Sequence, residues 1–207
     1  MPFVQPTLSA SSVDRVGLTT LIGSLAPVIT PGFMTRIGAD IGAFPPFGVI
    51  GTKMAAGFNI GTPPRTASML LVTVAGTATL SRASVQTFGA WAHAHAELSI
   101  TIEEWRPSLP IGGRRVPPKL VRSIVFNPTK IFDDWGAVAS YQLRIDDGTP
   151  FTSVAGMPIG TVAALERHSF SVWINLVQSA ECEAVSGYAS AVSNVAFDFP
   201  PPFFVFT

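Results

Sequence analysis

The sequence predicts an all-β protein: an antiparallel β-sandwich of the jelly-roll type with an apolar, Gly/Pro-rich N-terminal arm. Three observations lead to this prediction. Several segments after residue 66 alternate between apolar and polar residues with a period of two, which is typical of half-buried strands. Asn-Pro-Thr and Asp-Asp-Gly sequences lie between some of these segments and indicate turns. The 207-residue chain is long enough for one large β domain together with an arm.

The arm is expected to cover residues 1–66, which are low in charge and rich in Gly, Pro and apolar side chains. Proline removes a backbone donor and glycine raises the entropic cost of ordering, so most of this segment is expected to be irregular and extended. One helix is predicted at about residues 13–26, with Ser12 as its N-cap and leucine and isoleucine side chains on one face. Five phenylalanines in the segment require burial, so the arm should pack on its own subunit or on a neighbour.

Residues 67–207 are expected to form the β-sandwich domain. Its clearest strand covers residues 88–105, where alanine, leucine and isoleucine take alternate positions and should form a buried face. Tryptophan, histidine and glutamate take the other positions and should face outwards. Turns are predicted at 127–129 and 146–148, and a short helical turn at about 161–167. The remaining predicted strands are residues 68–76, 119–126, 136–146, 168–178 and 187–199.

The C-terminal sequence FDFPPPFFVFT combines three consecutive prolines with five phenylalanines. The prolines should keep this stretch out of a central strand. An exposed FFVF edge would promote aggregation, so either the arm or a neighbouring subunit is expected to cover it. The candidate assembly residues are Phe44, Phe47, Phe203, Phe204 and Phe206.

The charge composition indicates which partners to expect. The chain has 13 basic and 13 acidic residues, and only 13% of its residues are charged, against about 25% in a typical soluble domain. A surface so poor in charge should bury apolar area against other subunits, a ligand or a membrane. Nucleic acid is not an expected partner, since its phosphates require a field of cations.

The single Cys182 lies between two glutamates, which disfavour a reactive thiolate, and it has no second cysteine to pair with. The N-terminal residues show no basic leader followed by an apolar core, and no run of about 18 apolar residues occurs. Neither a signal peptide nor a transmembrane helix is therefore expected, and cytoplasmic, virion and non-classically exported locations stay open.

The outward face of residues 88–105 is the candidate binding surface. His93 and His95 are about 7 Å apart along the strand and can converge on one metal ion. His168, which opens another predicted strand, completes the set of metal-ligand candidates. Tryptophan on a polar sheet face can stack on a sugar ring or pack against another layer. The candidate binding residues are Trp91, His93, His95, Glu97, Trp105 and Trp173.

Catalytic motifs such as G-x-S-x-G, the P-loop and G-x-G-x-x-G do not occur in the sequence. The aspartate pairs at 133–134 and 146–147 are expected in turns. No cofactor is expected. The leading prediction is a non-enzymatic structural or interaction protein, a self-associating β-sandwich subunit of a homo-oligomer, a capsid-like assembly or a surface assembly. The alternatives are a glycan-binding, lectin-like module, a membrane-active or pore-forming toxin, and a metal-dependent jelly-roll enzyme.

Overall fold

A computed structural model describes residues 7–25, 29–30, 34–108 and 116–207. Nearly all of these residues lie in strands, which confirms the predicted all-β class. In chain order the elements are β1 (Thr7–Leu25), β2 (Ile29–Thr30), β3 (Met34–Gly61), β4 (Met69–Arg106), β5 (Lys119–Ile145), β6 (Thr149–Pro158), α1 (Thr161–Leu165), β7 (Ser169–Glu183), β8 (Tyr188–Phe199) and β9 (Phe203–Phe206).

The described strands form a single antiparallel sheet. Strands β3 and β4 each pair with both β7 and β8, so the hydrogen-bonded order β3–β7–β4–β8 returns to β3 and forms a small barrel. Strands β1 and β2 pair with β3 outside this ring, while β5, β6 and β9 pair with β4. β7 pairs with the later parts of β3 and β4, and β8 pairs with their earlier parts.

β4 contributes buried side chains to the core along its length, but two bulges change which positions are buried. The shifts lie between residues 78 and 80 and between residues 88 and 90. An extra residue exchanges the two faces of a strand, so the buried positions change from even to odd and back to even. Gly89 lies at the second bulge with a φ of 63°, a left-handed conformation that favours glycine. The predicted face of 88–105 is confirmed: Ala92, Ala94, Ala96, Leu98, Ile100 and Ile102 are at most 1% exposed.

The helix predicted for residues 13–26 is wrong over its described part, because residues 13–25 belong to β1 and pair with β3. Apolar residues do recur there at helical spacing, but the segment is rich in valine, threonine and isoleucine, which fit a pleated sheet. The backbone hydrogen bonds that the segment forms with β3 outweigh its weak helical preference. Ser12, the predicted N-cap, pairs with Thr52 of β3 instead.

The irregular structure expected for most of residues 1–66 is also corrected. Met34–Gly61 forms the long strand β3, whose Ile37, Ile41 and Ile50 are fully buried in the core. Its glycines do not break the strand, since the pairing with β1, β7 and β8 satisfies the backbone on both sides. The domain boundary placed at residue 66 stays a prediction.

The strands predicted after residue 66 are present, and some of them are continuous. Predicted strands 68–76 and 88–105 are parts of β4, and predicted strands 119–126 and 136–146 are parts of β5. The turn predicted at 127–129 is a bulge, because Leu98 pairs with Thr129 and Ile100 with Phe126. Pro128 has no N–H to donate to a ladder, and a bulge accommodates it.

Other local predictions are confirmed. A turn follows β5 at 147–148, where Gly148 has a φ of 81°, and α1 lies in the predicted segment 161–167. β7 and β8 match the predicted strands 168–178 and 187–199. None of the described helical structure is long and apolar enough to cross a lipid bilayer.

The C-terminal FFVF segment forms β9 and pairs with residues 70–73 of β4. Phe204 and Phe206 pack against the core, whereas Phe203 is exposed. Of the other two assembly candidates, Phe47 is exposed and Phe44 is half-buried. β9 therefore pairs with β4, while Phe197 and Phe199 of the same C-terminal sequence lie in β8 and pair with residues 35–37 of β3, within the N-terminal segment expected to cover it.

Candidate functional site

The predicted binding residues share the outer face of the sheet, but they fall into two clusters. The residues of β4 take odd positions from Trp91 to Trp105, and Trp173 of β7 lies opposite Thr101. Trp91 and Trp105 are about 45 Å apart along an extended strand. One cluster therefore surrounds His93 and His95, and the other surrounds Trp105 and Trp173.

The histidine cluster gains its third member from β5. Antiparallel pairing of β4 with β5 places Asp133 opposite His95 and Trp135 opposite His93. His93 Nε2 lies 2.8 Å from Asp133 Oδ1, and His95 Nδ1 lies 3.5 Å from the same oxygen. Lys130 Nζ donates a hydrogen bond of 2.6 Å to Asp133 Oδ2. We call His93, His95 and Asp133 the His/Asp cluster.

Aromatic rings fix the orientation of His93. The Trp135 indole stacks on the imidazole with 3.9 Å between ring centroids and an interplanar angle of 12°. Trp91 lies 6.1 Å from Trp135, and its Nε1 donates to Glu183 Oε2 at 3.1 Å. Trp135 is 56% exposed, so the cluster is accessible from solvent.

The charge of Asp133 is fixed by its donors. Hydrogen bonds from Lys130 and His93 hold the pKa of Asp133 well below its ordinary value, against a smaller opposing effect of burial. The carboxylate is therefore anionic at neutral and mildly acidic pH. One ligand atom from each member of the His/Asp cluster lies within 4.8 Å of the other two, a spacing that suits a metal ion.

The structure does not bring His168 to the other two histidines. His168 lies just before β7 and on the core side of β4, buried beside Glu104, with 2.6 Å between its Nδ1 and Glu104 Oε1. Asp133 takes the third place instead. Sequence reasoning missed Asp133 because it assigned the aspartate pair to a turn, and only the register between β4 and β5 reveals its position.

The second cluster is a hydrogen-bonded network around Glu103. Trp173 Nε1 donates to Glu103 Oε2 at 2.7 Å, and Ser171 Oγ donates to the same oxygen at 3.1 Å. Trp105 Nε1 donates to Ser171 Oγ at 3.0 Å. Next to this network is an open cleft of about 340 Å³, lined by Lys53, Ala55, Thr101, Glu103, Ser123, Val125, Trp173 and Asn175.

The second half of β5 carries its apolar side chains on the outside of the sheet. Tyr141, Leu143 and Ile145 are 65%, 55% and 57% exposed. Phe88 of β4 pairs with Ala139 on the same side and is 70% exposed. We call this set the outer apolar face: Phe88, Ala139, Tyr141, Leu143 and Ile145.

The inner side of the same part of β5 is polar. Ser140 Oγ lies 3.0 Å from the buried Thr87 Oγ1, and Arg144 forms an ion pair with Asp134. The pairing places Gln142 beside the fully buried Val85. Gln142 and Arg144 are themselves exposed, so this segment of β5 has solvent on both sides and its apolar side chains are not buried in the core.

The apolar face of 88–105, which the membrane hypothesis requires, faces the core in this structure. Its residues from Ala92 to Ile102 are at most 1% exposed at alternate positions.

No family model matches the chain, and no curated protein matches it either. Among solved structures, the crystal structure of the enzymatically active domain of bacteriophage CBA120 tailspike protein 4 is similar over 94% of this chain, with 10% sequence identity and a TM-score of 0.21. This chain covers 19% of the length of that chain.

Proposed function

We propose that the protein is a non-enzymatic structural subunit that associates with further copies of itself through the outer apolar face. The observation that carries the proposal is the exposure of Tyr141, Leu143 and Ile145 along the second half of β5. Exposed contiguous apolar surface of this kind is typical of interfaces between proteins.

A second copy is the occupant that the chemistry of this face favours. Arg82 lies opposite Ile145 at one end of this face, and its charge is paired with Asp147, so the partner's surface can be largely apolar. Around a two-fold axis, the face of one subunit packs on the same face of the next, which buries Phe88 and Tyr141 of both subunits. Large aromatic side chains buried in this way supply most of the energy of many interfaces. The low overall charge of the chain, 13% of residues, agrees with such an assembly.

The native mass tests this proposal. At micromolar concentration, light scattering should give a multiple of the 21.9-kDa chain mass. Leu143→Lys should reduce the native mass to that of a single chain, because it places a charge in the centre of the contact. Val162→Lys is the matched control, since Val162 is equally exposed but lies on α1. A monomeric wild-type protein, or an equal effect of both variants, contradicts the proposal.

The two-sheet sandwich of the jelly-roll type belongs to the same proposal. β7 and β8 pair with successive parts of β3 and β4, which divides these long strands into two halves. The two halves, packed over the common buried face, would form the two layers of a sandwich.

A glycan-binding function is a second candidate, and the cleft beside Trp173 favours it. An aromatic wall together with Glu103, Asn175 and Lys53 combines a surface for stacking with hydrogen-bonding groups for hydroxyls. Titration with a panel of oligosaccharides should change tryptophan fluorescence in the wild type and in Trp135→Phe, but not in Trp173→Phe. Absence of any saturable change in the wild type contradicts this candidate.

A further inference from the structure

The His/Asp cluster brings three metal-binding side chains from two neighbouring strands to one point. His93 Nε2 and His95 Nδ1 lie 2.8 and 3.5 Å from Asp133 Oδ1. Three ligand atoms around a tetrahedral Zn²⁺, each about 2.1 Å from the ion, are about 3.4 Å from one another. Small side-chain rotations are therefore enough to replace the hydrogen bonds with bonds to a metal ion.

The chemistry of these ligands selects a class of ion. Two imidazoles and one carboxylate suit divalent transition metals such as Zn²⁺, Ni²⁺, Cu²⁺ and Fe²⁺, whereas Mg²⁺ and Ca²⁺ prefer sites made of oxygen atoms alone. Imidazole nitrogens and carboxylate oxygens are donor atoms that these ions bind in proteins.

The surroundings support a cation. Glu97 lies two positions from His95 on the same face, and Glu181 of β7 lies opposite His93. Among the described residues, Lys130 contacts the cluster through Asp133 Oδ2. Its side chain is largely exposed, so it can remain on Oδ2 while Oδ1 binds the metal, or it can move into water.

The cluster is also held in place before any ion arrives. Both histidines lie on a central part of β4 that pairs with β5 on one side and β7 on the other. Trp135 stacks on His93 and restrains its ring. A ligand set that is oriented in advance loses less conformational entropy on binding.

From this geometry we infer that His93, His95 and Asp133 bind one divalent transition-metal ion, whose remaining coordination positions face solvent. The inference is independent of the proposed self-association, since the site lies within one chain and none of its residues belongs to the outer apolar face.

Calorimetric titration of the full chain with Zn²⁺ tests the inference. The wild type should bind one ion per chain with a saturable isotherm. His95→Ala and Asp133→Asn should each weaken binding at least about tenfold, because each removes a ligand. Asp134→Asn is the matched control: it makes the same substitution one position along β5, on the opposite face, and should bind like the wild type.

Tryptophan fluorescence gives an independent readout. Because Trp135 stacks on His93, Cu²⁺ bound at the cluster should quench its emission. His95→Ala leaves that stacking pair in place and should remove the saturable quenching. Absence of saturable Zn²⁺ binding, wild-type affinity in both ligand variants, or equal weakening by Asp134→Asn would overturn the inference.

Discussion

Glu104 and His168 form a buried pair, with 2.6 Å between Glu104 Oε1 and His168 Nδ1 and only 4% and 5% of the two residues exposed. Arg122 donates to the other oxygen of Glu104 at 2.6 Å and to the Pro158 carbonyl oxygen at 2.5 Å. The three side chains join β4, β5 and the segment before β7. A carboxylate this deeply buried is tolerated because both of its oxygens are hydrogen-bonded.

Arg122→Met should therefore destabilise the protein strongly. The substitution leaves the buried Glu104 with His168 as its remaining partner in this network, and removing one member of a buried ionic group costs about 3 to 5 kcal/mol. Urea denaturation followed by circular dichroism measures the change in the free energy of unfolding. Arg106→Met is the control, because Arg106 forms a solvent-exposed ion pair with Glu166 that contributes about 1 kcal/mol or less. Similar losses in the two variants would show that the buried network stabilises the protein no more than the exposed ion pair does.

The alanine row of β4 sets how closely the core can pack. Ala94 is fully buried and pairs with the fully buried Ala180 of β7. Ala94→Leu should destabilise the fold by about 1 to 3 kcal/mol, since a fully buried position must make room for three more carbon atoms. Ala75→Leu, at an exposed position of the same strand, should change the free energy of unfolding by about 0.5 kcal/mol or less. A tolerated leucine at position 94 would mean that the core can rearrange around the larger side chain.

This alanine row is also the part of the fold that the sequence predicts best. The alternation in 88–105 is local and has no competing helical period, so the buried face follows from the residues alone. The segment 13–26 is different, because its apolar residues fit a helix while its β-branched residues fit a strand. In this segment, pairing with β3 decides between helix and strand. A short window of sequence does not reveal the partner strand.

The candidate site, too, can be predicted from the sequence only in part. The outward positions of His93, His95 and Trp91 follow from the period of two, and the structure confirms that they share a face. Asp133 is 38 residues from His95 in the sequence, and it reaches the cluster only because the long strands β4 and β5 pair in one register. Bulges along both strands set that register, and a single displaced residue would turn Asp133 to the other side of the sheet.

Gly57 provides the space for the Trp173 ring. A Cβ atom at position 57 would lie 2.7 Å from carbon atoms of the indole, closer than packed atoms allow. Gly57→Ala should displace the ring, weaken the bond from Trp173 Nε1 to Glu103, and destabilise the protein by about 1 to 3 kcal/mol. Gly160→Ala is the control, because a Cβ atom there meets nothing within 4 Å. Tryptophan emission together with urea denaturation checks both effects, and unchanged values for Gly57→Ala would contradict the close contact.

The ionisation of Asp40 should make the free energy of unfolding depend on pH in a defined direction. Burial raises the pKa of Asp40 above its ordinary value, so the folded protein disfavours the charged form. The resulting loss of stability is present above the folded pKa, shrinks as the pH falls through it, and is absent below the unfolded value of about 3.9. Asp40→Asn should therefore raise the free energy of unfolding at pH 7. This gain should vanish below about pH 4.

Asp147 is the control with the opposite sign. Hydrogen bonds from Arg82 and from the Ser81 backbone N–H lower the pKa of Asp147, so its charged form stabilises the fold above the unfolded pKa. That contribution is lost as the pH falls through the folded pKa. Asp147→Asn should therefore destabilise the protein at pH 7 and lose this effect in acid. Urea denaturation of both variants at pH 7 and in acid measures the two changes. Equal signs at neutral pH would show that burial does not govern the charge of Asp40.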